Sequence, residues 1–192
     1  MLYFFRKSCF CMILLTVFSK IVLSQPAGKI DPSEWKNPFK PDEVDKAIES
    51  GIQFLLSNQK DDGAIYDRGN PTAITALSLM SLAAVGHLPI HPNKNGEAMA
   101  KALEFILLEK NQNEVGYFGK DGGRMYGHGI VTLTLAEMLG MGMDEETDTS
   151  IRDKCQKAID LILRSQKVQK NQAQQGGWRY SPDSRDADLS VT

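Results

Sequence analysis

Apolar residues recur at helical spacing from Glu43 onward, and the pattern comes in two kinds. In the first kind, Val44, Ala47, Ile48, Gly51, Ile52 and Leu55 form one face of a stretch whose other face is charged. Met99, Ala102, Leu103 and Ile106 repeat that face, as do Cys155, Ala158, Ile159 and Ile162. Spacing of i, i+3, i+4, i+7 predicts amphipathic helices. In the second kind, Ala73 to Val85 carries no charge and Ile130 to Met143 carries only Glu137. A helix apolar all round is expected to be enclosed between layers. Gly86 and Gly140 follow these runs, where a left-handed cap is expected. No window alternates with period two, so the expected fold class is all-α.

The two kinds alternate, and the unit they make recurs at about 50 to 60 residues. Each copy has an amphipathic helix ending near Gln or Asn, a Gly-aromatic loop, and a second helix opening on Ala, Thr and Val. The loops are Gly63-Ala-Ile-Tyr66, Gly116-Tyr-Phe118 and Gly176-Gly-Trp-Arg-Tyr180. Thr75, Thr132 and Thr192 stand behind them at similar distances and are taken as the register mark. Such units bury their apolar faces only against neighbours.

Residues 1–24 read as a signal peptide and are set apart from the fold. Arg6 and Lys7 precede the apolar run Ser8 to Ser19, and Val22 and Ser24 fit the small-residue pattern of a cleavage site. The run is too short to span a bilayer. The expected location is secreted or periplasmic. Residues 25–43 follow as a proline-rich lead-in, with Pro26, Pro32, Pro38 and Pro41 beside Trp35 and Phe39. The repeat domain is placed at 44–192. Loss of the leader removes Cys9 and Cys11 and leaves Cys155, on an apolar stripe, as a buried thiol with no intramolecular disulfide. The net charge is −2 and becomes more negative without Arg6, Lys7 and Lys20. This argues against a nucleic-acid partner.

Phe54-Leu-Leu-Ser-Asn-Gln59 before Gly63, and Leu161-Ile-Leu-Arg-Ser-Gln166 before Gly177-Trp178, resemble the glutamine-tryptophan repeats of the squalene and hopene cyclases. In looser form that repeat marks the terpenoid cyclase and prenyltransferase-like superfamily. The resemblance covers about residues 44 to 192. It implies an α/α toroid of alternating outer and inner helices, of which roughly 250 to 350 residues would make a closed ring at this period; this chain would supply part of one. It also implies that Asp186-Ala-Asp188 matches the start of the cyclases' acidic run, with Asp188 as the acid that protonates an alkene. Leu189 stands where that run has a further Asp. The structural alternative is that both carboxylates cap a helix start.

Counting back four from the register threonines aligns Pro71, His128 and Asp188, and counting back six aligns Tyr126 with Asp186. The expected site is a polar rim of Tyr126, His128, Asp186 and Asp188 over an apolar pocket, with Trp178 and Tyr180 also binding ligand. His128 reads equally as a histidine satisfied by backbone at a helix start. No cofactor is expected. Zinc is disfavoured, since Cys155 lies on a core stripe and Pro89 separates His87 from His91. Two functions follow. One is an exported squalene cyclase or prenyltransferase-like protein that takes a polyisoprenoid or other hydrophobic ligand, with acid-initiated cyclisation or isomerisation in which Asp188 is the catalytic acid and Asp186 and His128 tune it. The other is a noncatalytic extracytoplasmic toroid that binds a lipid, peptide or glycan. Peripheral membrane contact, and self-association through an open apolar edge, belong to the same expectation.

Overall fold

The computed structural model describes residues 41–67, 69–188 and 191. The expectations for the leader, for most of the lead-in, and for Leu189, Ser190 and Thr192 lie outside them. The chain divides into two compact units, Met1–Glu43 and Val44–Thr192, and nearly all described residues belong to the second.

The described residues are all-α. They form α1 (Glu43–Asn58), α2 (Pro71–Ala84), α3 (Lys94–Leu107), α4 (Arg124–Glu137) and α5 (Glu145–Gln166), with short 3₁₀ turns at Glu109–Asn111 and Gly119–Asp121. None of these helices is long and apolar enough to cross a membrane. The starts are chemically marked. Pro71 opens α2, Asn93 caps α3 by accepting from the Asn95 and Gly96 N–H groups, and Asp144 caps α5 by accepting from the Thr147 N–H. Glu145, Glu146 and Asp148 therefore lie in the first turn of α5, at the positive end of its dipole. The Thr147 hydroxyl and N–H bonds hold the Asp144 carboxyl below its ordinary pKa.

The helices stack in two layers. The low-charge helices α2 and α4 lie side by side, and each packs along the amphipathic helix that follows it, α2 on α3 and α4 on α5. The closely packed pair is thus not the pair joined by the Gly-aromatic loop; that loop instead reaches the next amphipathic helix. Between the layers Leu79, Met99, Leu103, Ile106, Val131, Leu135 and Ile151 are fully buried. Their burial drives the stacking at about 25 cal/mol per Å² of apolar surface.

Three expectations need correction. The low-charge helices are not enclosed all round, because Leu77 and Leu133 are 44% and 52% exposed. The apolar face of α1 is mostly open. Ile52 is buried and Leu55 and Leu56 are half-buried, but Ala47, Ile48 and Gly51 face solvent. The third low-charge helix is also not seen to begin at the Asp186 run, since Asp186 to Asp188 have no helical conformation.

Candidate functional site

The first two Gly-aromatic loops are locked by the same set of bonds. Gln59 Nε2 donates to the Gly63 carbonyl (3.0 Å) and across to the Ala98 carbonyl of α3 (2.8 Å). Gln112 Nε2 donates to the Gly116 carbonyl (3.1 Å) and to the Lys154 carbonyl of α5 (2.8 Å). One amide thus closes its own turn and ties that turn to the next unit. Gly63 and Gly116 have left-handed φ of 85° and 94°, and a Cβ on either would overlap the Lys101 or Lys157 carbonyl oxygen. Only glycine allows this approach.

A second bond joins each loop to the low-charge helix behind it. The Ile65 N–H donates to Thr75 Oγ1 (2.9 Å), and the Phe118 N–H donates to His128 Nδ1 (3.3 Å), both across ten residues. Thr75 and His128 are therefore equivalent. This overturns the alignment on Thr75, Thr132 and Thr192, and with it the pairing of Pro71 with His128. Thr132 Oγ1 donates instead within its own helix, to the His128 carbonyl (2.7 Å), and Thr192 is outside the described residues. By the corrected spacing, Asp188 stands to Trp178 as His128 stands to Phe118. There the Asp188 N–H donates to the Trp178 carbonyl (2.8 Å).

His128 is fully buried, and both ring nitrogens are engaged. Nδ1 accepts from Phe118, so Nε2 carries the proton and donates to the Ala158 carbonyl of α5 (3.2 Å). Burial pushes its pKa down to about 4, against the smaller raising effect of the Ala158 bond. Its ring bonds go to backbone and not to Asp188, which is the arrangement of a satisfied core histidine.

Of the other expected residues, Tyr126, Tyr180 and Asp188 converge. The Tyr126 and Tyr180 rings lie 6.0 Å apart, and the Tyr180 hydroxyl donates to Asp188 Oδ2 (3.3 Å). Asp186 pairs with Arg179 (3.0 Å). Trp178 turns away, its Nε1–H donating to the Ile162 carbonyl of α5 (3.0 Å). Two further residues belong to the cluster: the Arg179 and Arg124 guanidiniums sit 5.1 and 5.5 Å from the Tyr180 ring. Arg124 opens α4 with a left-handed φ of 52°, which is costly for a non-glycine residue. Arg179 lies inside the Gly-Trp-Arg-Tyr motif and was open to notice; nothing in the local sequence marks Arg124.

The cluster borders the exposed part of α4, where Tyr126 and Leu133 reach solvent. Two polar clefts lie elsewhere. One, of about 320 Å³, has Gln59, Lys94, Glu97 and Lys101 in its wall, and another, of about 720 Å³, has Gln112, Glu114, Lys120 and Lys157. An apolar niche among Leu55, Leu79, Leu82 and Ala102 holds only about 10 Å³ and does not adjoin the cluster. Among the described residues no three His, Cys, Asp or Glu side chains converge as metal ligands. Comparison of the chain with protein-family models, with curated proteins and with solved structures finds no match.

Proposed function

We propose that the chain is a terpenoid-cyclase or prenyltransferase-like helical-repeat protein, exported from the cytoplasm, that binds a hydrophobic small molecule along α4. The carrying observation is the meeting of Tyr126, Tyr180 and Asp188 at the start of α4, about two turns before the exposed Leu133. An apolar wall with a few convergent polar groups is the usual form of such a site. The alternation of amphipathic and low-charge helices, and the glutamine that ties each loop to the next unit, are what a toroid segment of that superfamily would need.

Binding without catalysis is the reading best supported. An acid that protonates an alkene has to stay neutral in a dry cavity. Asp188 is only half-buried, with the Tyr180 ring and its arginines alongside. One observation favours acid-initiated cyclisation as a second reading: the Tyr180 hydroxyl orients the Asp188 carboxyl. Incubation with squalene followed by product analysis separates the two. Retention of unchanged squalene supports binding alone. Polycyclic product that disappears in Asp188→Asn establishes the second reading, and failure to retain squalene at all overturns both.

A further inference from the structure

Lysines from three chain segments meet around the cleft of about 720 Å³ beside the second Gly-aromatic loop. Lys110 comes from the turn after α3, Lys120 from the turn before α4, and Lys157 from α5. All three residues are exposed, and among the described residues none of them is in a salt bridge. The segments are held in place. Gln112 ties the loop to the Lys154 carbonyl, and Gly116 rests against the Lys157 carbonyl, which a Cβ would overlap. Lys110 Nζ lies 5.7 Å from the centroid of the buried Phe105 ring.

Two carboxylates line the same cleft, Glu109 and Glu114. Glu109 is taken up by Lys154, whose Nζ donates to Oε1 at 2.7 Å. Lys154 and, more weakly, Lys157 hold the Glu109 carboxyl below its ordinary pKa. The Lys154 side chain is only 8% exposed, and burying an ammonium costs free energy even when it is paired. The preceding unit has no such residue. Its equivalent position is Ala98, since Gln59 donates to the Ala98 carbonyl as Gln112 donates to that of Lys154. The smaller cleft there sets Lys60, Lys94 and Lys101 against Asp61 and Glu97, neither of them in a salt bridge among the described residues. Lys154 therefore leaves the second cleft with three lysines against Glu114, on a chain whose net charge is −2.

We propose that this cleft is a binding site for a polyvalent oxyanion, one that carries several phosphate or sulfate esters on a polyhydroxylated frame. Lysines are point charges on flexible stems and suit tetrahedral oxyanions, without the planar fit that arginine gives a carboxylate. Their origin in three separate segments favours a ligand with several charged groups over a single ion. The volume is that of a small-molecule site, and the polar lining suits hydroxyl groups. This site does not rest on ligand binding along α4, which takes the opposite chemistry.

The test is isothermal titration calorimetry of the full chain with inositol hexakisphosphate and, separately, with inositol hexasulfate. The expected result is saturable one-to-one binding of at least one of them, and the tighter one identifies the ester. Lys120→Gln combined with Lys157→Gln should weaken binding about tenfold or more. Lys167→Gln, at an exposed lysine that does not line the cleft, should bind like the parent. Glu114→Gln removes the opposing charge and should tighten binding about two- to fivefold, a gain that misfolding cannot produce. Thermal melts establish that the variants are folded. Absence of binding by both esters overturns the proposal, as does unchanged affinity in the double variant. So does equal weakening in Lys167→Gln, which would mean diffuse attraction to the surface. Equally tight binding of inorganic phosphate overturns it as well, because a single ion would then suffice.

Discussion

At the scale of single residues, one register position shows how different chemistries fill one role. A loop N–H needs an acceptor, and Thr75 supplies a hydroxyl where His128 supplies an imidazole nitrogen. Only the second titrates. The folded pKa of about 4 lies below the ordinary imidazole value of 6.5, so the unfolded chain takes up this proton first as pH falls. Stability from this group is therefore complete above pH 6.5 and is lost progressively between 6.5 and 4, by about 3 kcal/mol in all. Urea denaturation across that range should show the loss. His128→Gln, whose amide can accept and donate in the same places, should flatten the profile in that window; an unchanged profile would contradict the assignment. Gly51 gives a second residue-level prediction. It is an exposed helical glycine with free space around its Cα, so Gly51→Ala should stabilise the fold by roughly 0.5–1 kcal/mol. A lower melting temperature would show that something already occupies that space.

Among elements, each low-charge helix is completed by the unit that follows it. The Thr72 N–H at the start of α2 donates to Asp121 Oδ2 (2.9 Å), while Oδ1 accepts from the Gly123 N–H (3.1 Å). At the start of α4, the Met125 N–H donates to the Tyr180 carbonyl (3.1 Å). Asp121→Ala removes a charged cap and a turn bond together and should cost about 1–2 kcal/mol by chemical denaturation. A smaller loss would mean that water replaces the carboxylate. The helix pattern was legible in sequence because low-charge runs and amphipathic faces have few other uses. The start of α4 was legible only in part: His128 was placed at a helix start, but the helix begins at Arg124, and Gly127 lets it approach Ala73 of α2, where an added Cβ would come within 3.4 Å of the Ala73 Cβ. The register was also hidden: Thr75, His128 and Asp188 share no side-chain type, whereas Thr75 and Thr132 share one without sharing a place. The Tyr126, Tyr180 and Asp188 meeting was legible in composition, since an aromatic and acidic motif was in view, but the exclusion of His128 depends on burial that only the packed layers reveal.

For the molecule as a whole, the two layers make burial and exposure unequal on their faces. Cys155 lies between them at 3% exposure, and burial pushes its thiol pKa up. It should resist thiol reagents until the domain unfolds, so its labelling rate should follow global stability; prompt labelling under native conditions would mean that α5 opens locally. The outward side of α4 exposes Tyr126 and Leu133, and the proposed ligand binding rests on that asymmetry. The most direct test is a titration of the protein with squalene, followed through ligand-dependent changes in intrinsic fluorescence, for the parent and for Leu133→Asp. Saturable binding in the parent, weakened about tenfold or more in the variant, is the predicted result. Equal binding by both proteins, or none by either, would contradict the placement of the ligand along α4.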